Sequence, residues 1–93
     1  MPFDWDAAKN TANLAKQGID FRDVVRIFEG PVLERIDDRK DYGEIRVIAF
    51  GVVEGHELAV VYTPRSEVRR VISARRAHSS ERKAYRETYP QRP

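Results

Sequence analysis

Cysteine is absent from the 93-residue chain, which excludes disulfides, thiolate nucleophiles and cysteine metal sites. Histidine is scarce. His56 falls in or beside a turn and His78 at the start of a helix, a pair that does not suggest metal ligation, so no metal site and no cofactor is expected. There is no run of about 18 apolar residues and no basic-then-apolar leader, so neither a membrane span nor a secretory signal is expected, and the cytoplasm is the expected compartment. Internal repeats, low-complexity tracts and Gly/Ser linkers are also missing, so residues 1–93 read as one domain. The composition that remains is of a globular type, 41% hydrophobic and 34% charged with a mean hydropathy of −0.63. A chain of this length can bury roughly 60–65% of its unfolded surface, enough for one modest core.

The net charge of +2 hides a division. Residues 1–63 carry 8 Lys/Arg against 12 Asp/Glu, whereas residues 64–93 carry 9 against 3. The basic third (Arg65, Arg69, Arg70, Arg75, Arg76, Arg82, Lys83, Arg86, Arg92) is nearly all arginine, whose planar fork suits phosphate oxygens better than an ammonium does. A polyanion is therefore the leading partner class. Two plainer readings stand beside it: a solvated basic tail, or arginines paired with the acidic first half.

The hydrophobic pattern divides the chain into short elements. Pro2 to Trp5 fits an edge strand, and Asp4 or Asp6 caps a helix that runs to about Gln17, stops at Gly18 and lines Ala8, Ala12 and Ala15 along one face. A second helix starts at the Asp20 cap, with Phe21, Val24, Val25 and Phe28 at helical spacing, and ends at Gly30-Pro31. The period then changes to two. Val32 to Asp37 is a strand, residues 38–43 are a polar loop, and Arg46 to Val53 is a β-branched and aromatic strand. Glu54-Gly55 reads as a two-residue hairpin turn, followed by a strand from Glu57 to Thr63, a turn at residues 64–67 and a strand from Val68 to Arg75. Ser79 or Ser80 caps a last charged helix through about Tyr89. The expected class is α+β, a mostly antiparallel sheet of four to five strands with two N-terminal helices and one C-terminal helix.

A two-residue turn at Glu54-Gly55 fixes a register. Phe50 then faces Ala59, Ile48 faces Val61, Arg46 faces Thr63 and Glu44 faces Arg65, which collects a carboxylate, two guanidiniums and a hydroxyl at one edge. On the opposite parity lie Tyr62 and, along the next strand, Arg69, Ser73 and Arg75, and that face is expected to be the more polar one.

The order of motifs, from Phe3-Asp4-Trp5-Asp6 through Lys9-Asn10, Lys16-Gln17-Gly18, Asp41-Tyr42-Gly43-Glu44, Val60-Val61-Tyr62-Thr63-Pro64-Arg65 and Ile72-Ser73-Ala74-Arg75-Arg76-Ala77 to Glu81-Arg82 and Tyr85, resembles the BrnT family of bacterial type II toxins. The resemblance implies a RelE-like fold and a metal-independent ribonuclease that halts translation. It also implies a BrnA-like, ribbon-helix-helix, DNA-binding antitoxin as partner, in a heterotetramer or larger complex, with operator DNA reached only through that antitoxin and no membrane partner. Members usually carry Lys-His-Gly where this chain has Lys16-Gln17-Gly18, so any role of that histidine is lost here.

Metal-free RNA cleavage requires removal of the 2′-OH proton, stabilisation of the phosphorane and protonation of the leaving 5′-oxygen. Glu44 is the candidate base, and Arg46, Arg65 and Arg75 are the candidate phosphorane ligands, with RNA contacts expected at Lys16, Tyr62, Arg69 and Arg76. The acid is the weak point of the set. Each residue also has a structural reading: a cross-strand Glu44–Arg65 ion pair, a sheet aromatic at Tyr62, Arg75 and Arg76 folded back on the acidic loop from Asp37 to Asp41, and ordinary surface lysines at positions 9 and 16. A nucleic-acid-binding domain without catalysis, or a protein-interaction domain using the basic third against an acidic partner, is the alternative function.

Overall fold

The computed structural model describes residues 2–90, and Arg92 of the basic third lies outside them. In chain order the elements are β1 (Phe3–Trp5), α1 (Ala7–Gln17), α2 (Phe21–Val24) with a 3-10 segment (Val25–Glu29), β2 (Leu33–Ile36), β3 (Val47–Val53), β4 (His56–Arg65), β5 (Val68–Arg76) and α3 (Ser79–Thr88). The strands form one sheet in the order β1-β5-β4-β3-β2. Three pairings are antiparallel, in keeping with the mostly antiparallel sheet expected, and the fourth, β1 with β5, is parallel, so the sheet is mixed. Two helices and three strands separate β1 from β5 along the chain, and a parallel pair needs such a long connection because a tight hairpin joins only antiparallel strands.

Local chemistry accounts for most boundaries. Asp6 caps α1 by accepting from Lys9 N–H at 3.0 Å, and Gly18 ends it at φ 71°, where glycine carries no side-chain penalty. The alanines of α1 are exposed, and the helix is held instead by Asn10, whose Oδ1 accepts from Phe21 N–H, and by Asn13, whose Oδ1 accepts from Ala74 N–H on β5. Asp20 caps α2 as expected, but the helix tightens to 3-10 geometry at Val25. This places Ile27, with Phe21 and Val24, fully inside and leaves Val25 and Phe28 partly buried. Ile27 packs closely on β3, where a Cβ on Gly51 would lie 2.7 Å from Ile27 Cβ. Residues Glu54 and Gly55 both have positive φ (51° and 80°), the two-residue turn that matches strand twist, and the β3–β4 register runs as expected from Phe50 opposite Ala59 to Val47 opposite Tyr62. The fourth strand continues through Pro64-Arg65, which had been assigned to a turn, and the last helix is entered from His78 rather than a serine, with Glu81 Oε1 accepting from His78 N–H at 2.7 Å.

The register of β5 on β4 shifts between Val61 and Tyr62, leaving Ile72 as an extra residue. The expected common face of Tyr62, Arg69, Ser73 and Arg75 is thereby divided. Arg69 stays with Tyr62, whereas Ser73 and Arg75 fall opposite Val61 and Ala59 on the other face. Neither face is the polar one. The α2 side holds the larger core around Phe21, Val24, Ile27, Val60 and Val71, and the α3 side holds a second core of Ile48, Phe50, Ala59, Val61 and Tyr85. The last helix is fastened by two phenols, Tyr85 donating to Pro31 O and Tyr89 to Val32 O, each at 2.8 Å.

Candidate active site

The sheet has two ends, and the candidate residues are divided between them. The hairpin end, at the Glu54-Gly55 turn, receives Arg75 and Arg76. The far end, where β3 begins and β4 finishes, receives Glu44, Arg46, Tyr62, Arg65 and Arg69. Seven positions of β5 separate Val68, which faces Arg65, from Arg75, roughly 20 Å at about 3.3 Å per residue, so Arg75 lies apart from Glu44, Arg46 and Arg65.

At the far end the ladder stops at Val47–Tyr62, but Thr63 Oγ1 donates to Ile45 O at 2.6 Å and carries the pairing on. Glu44 lies between two guanidiniums, with Oε2 at 3.7 Å from Arg46 Nε and Oε1 at 3.5 Å from Arg65. The Arg46 guanidinium is stacked 4.0 Å from the centre of the Tyr42 ring. Its buried Nε has no hydrogen-bond acceptor among the described residues. The loop that presents Tyr42 is pinned by Asp37, a buried carboxylate that accepts from Arg39 at 2.8 and 2.9 Å and from the Tyr42 hydroxyl at 3.2 Å. Those Arg39 bonds, outweighing burial, hold the Asp37 pKa down at about 2.

On the α2 face of the same end is a group that the sequence did not bring together. Tyr62 is 6% exposed, with its ring edge-on to Phe28 at 5.7 Å. Its hydroxyl donates to Glu34 Oε2 at 2.5 Å. Arg69 lies over three rings, 4.2 Å from Phe28, 5.4 Å from Tyr62 and 5.8 Å from Phe3. Neither Arg69 nor Glu34 has an ion-pair partner among the described residues, although they flank the same phenol. Burial, and next the Glu34 carboxylate, push the Tyr62 phenol above its ordinary pKa, and the Arg69 cation opposes them. Glu34 was missed because, in its own strand, it is one polar residue in an alternating pattern.

The hairpin end is arranged differently. Arg75 makes a two-bond fork to Glu81, at 2.7 and 3.0 Å, rather than folding onto the acidic loop, and Arg35 approaches the same carboxylate at 3.5 Å. The Arg75 fork, helped by His78 N–H, keeps Glu81 down at about 2 against the opposing effect of burial. Arg86 forks to Glu57, and Arg76 contacts His56 Nδ1 at 3.2 Å. Lys16 lies away from the far end, in a groove between α1 and β5 that it shares with Lys9, Gln17 and Ser73, and with Arg75 of the hairpin end. The basic third is thus largely paired, with Arg65 on Glu44, Arg70 on Asp4 and Arg86 on Glu57 of the acidic part.

Among the described residues no three His, Asp or Glu side chains gather as metal ligands would, and no helix is long and apolar enough to cross a membrane. No curated protein matches the chain. A family model described as the ribonuclease toxin BrnT of type II toxin-antitoxin systems matches residues 5–81, which takes in both ends of the sheet and the Glu81 fork. With that match over most of its length, the chain belongs to the BrnT family of ribonuclease toxins of type II toxin-antitoxin systems.

Proposed function

We propose that this toxin cleaves RNA without a metal and so stops translation, and that a BrnA-like ribbon-helix-helix antitoxin neutralises it. The observation that carries the reading is the far end of the sheet, where Arg46 and Arg65 flank Glu44 on one face and Arg69 lies beside Tyr62 and Glu34 on the other. Arginines fixed in this way lose little freedom on meeting a phosphate, and their N–H forks suit its oxygens. Both Glu44 oxygens face guanidiniums, and this supports a role in spacing Arg46 and Arg65 more than the role of base. The Glu81 fork supports a structural role for Arg75.

Inducing the chain alone in a bacterium is expected to halt growth and labelled-methionine uptake, with total RNA cleaved before growth stops. Co-expression of a BrnA-like ribbon-helix-helix antitoxin should restore both. Undiminished uptake with soluble, folded toxin present would count against the reading, and against a competent site in a chain that carries Gln17.

A further inference from the structure

We infer that Tyr62 is the general acid of RNA cleavage and Glu34 the base that both starts the reaction and recharges the acid, with Arg69 between them and the scissile phosphate. This rests on the ribonuclease reading and supplies the proton donor that the Glu44 cluster lacks. Three observations support it. The phenol is buried in its ring but hydrogen-bonded through its hydroxyl to a carboxylate that no cation neutralises among the described residues. The Arg69 guanidinium lies over Phe28, 4.2 Å from the ring centre, and no carboxylate takes it up among the described residues. Burial and the Glu34 charge keep the phenol protonated, the state an acid must start from.

The steps balance. The 2′-oxygen gives its proton to the Glu34 carboxylate as its bond to phosphorus forms, and Arg69 takes the charge that builds on the non-bridging oxygens. The bond from phosphorus to the 5′-oxygen breaks, and Tyr62 delivers its proton to that oxygen. The products are a 2′,3′-cyclic phosphate and a 5′-hydroxyl. The Tyr62 phenolate is then left beside a protonated Glu34, and the proton returns along the 2.5 Å hydrogen bond that already joins them. No water or cofactor is needed to reset the pair.

Single-turnover cleavage of an RNA oligonucleotide tests this, with and without ribosomes. It would be set beside the same oligonucleotide carrying sulfur in place of the bridging 5′-oxygen, a leaving group that departs without an acid. Tyr62→Phe should slow cleavage of ordinary RNA by about 10²- to 10⁴-fold and restore it to near the wild-type rate on the sulfur substrate. Glu34→Gln should be slow on both. Circular dichroism reports folding of both variants, and Tyr62→Phe keeps the ring that packs on Phe28. Equal defects of folded Tyr62→Phe on the two substrates, or none on either, would remove Tyr62 as the acid while leaving the ribonuclease reading intact. A wild-type protein that cleaves neither substrate in either condition would overturn both.

Discussion

Two arginines of one strand show how differently the ends of this sheet use charge. Arg75 meets Glu81 in a two-bond fork that also engages the start of α3, so its charge is spent on holding a helix to the sheet. Arg69 meets rings, and its charge is left over. A cation stacked on aromatics is held in place without being neutralised, whereas a fork to a buried carboxylate neutralises it. The lesson is that a basic stretch in a sequence counts charges but does not say which remain available. Here Arg75 is matched within the fold, whereas Arg69 has no carboxylate partner among the described residues.

The sharpest way to break that comparison is to remove the carboxylate from each end in turn. Glu81→Gln leaves Arg75 and Arg35 without their shared anion and costs the His78 N–H its charged acceptor. Glu81 is 9% exposed in its side chain. Breaking a pair that is only partly buried should therefore cost about 2–3 kcal/mol, or roughly 10–20 °C in a domain of this size. Glu34→Gln at the far end should move the midpoint by only a few degrees, because an exposed carboxylate bonded to one phenol contributes about 1 kcal/mol. Thermal denaturation of the two variants side by side checks this, and a larger loss for Glu34→Gln would reverse the assignment of the ends.

The same difference should appear against pH, with a smaller effect at each step. Glu81 and Asp37 both have folded pKa values of about 2, below their ordinary values of 4.5 and 3.8. A lowered folded value means the stabilisation is present above the unfolded pKa and is lost as pH falls through the folded one. The wild type should therefore lose stability as pH falls from about 4.5 to 2, each carboxylate contributing at most about 1.4 kcal/mol per pH unit. Glu81→Gln should show a shallower decline, converging on the wild type near pH 2. Urea midpoints measured across this range decide it, and parallel curves would mean that Glu81 is not the group responsible.

Much of this division could be seen in the sequence, but its decisive part could not. Gly18 after a helix, Asp20 before one and Glu54-Gly55 between strands each act within a few residues, so they placed the first helix, the start of the second and the central hairpin register correctly. The features that were missed depend on distant partners. The parallel reach of β1, the close approach of Ile27 to Gly51 and the extra residue at Ile72 have no local mark. The Ile72 shift mattered most, because it moved Ser73 and Arg75 off the face of Tyr62. Glu34 meets Tyr62 through two successive pairings, β2 on β3 and β3 on β4. A signal was present all the same. The polar loop at residues 38–43 centres a second hairpin, and extending the pairing arithmetic across it sets Glu34 opposite Val47, the partner of Tyr62, two positions from its observed partner Ala49.

The smallest expected effect is the most direct measure of which charges are left over. Binding of single-stranded RNA releases counterions, and the logarithm of affinity falls with the logarithm of salt at about 0.7 per phosphate neutralised. A 2′-O-methyl RNA, which lacks the attacking hydroxyl, allows binding to be followed without cleavage. Arg69→Gln removes a cation that no carboxylate neutralises among the described residues, and the slope should fall by about 0.7. Arg75→Gln removes a cation already matched by Glu81, so its slope should stay at the wild-type value even though the protein is less stable. Fluorescence anisotropy titrations at four or five salt concentrations, below both thermal midpoints, resolve a change of that size. The affinity loss for Arg69→Gln should be similar across RNA sequences, since phosphate contacts carry no base information. If Arg75→Gln flattens the slope and Arg69→Gln does not, RNA runs over the hairpin end, and the groove that Lys16 shares with Arg75 becomes the place to look for it.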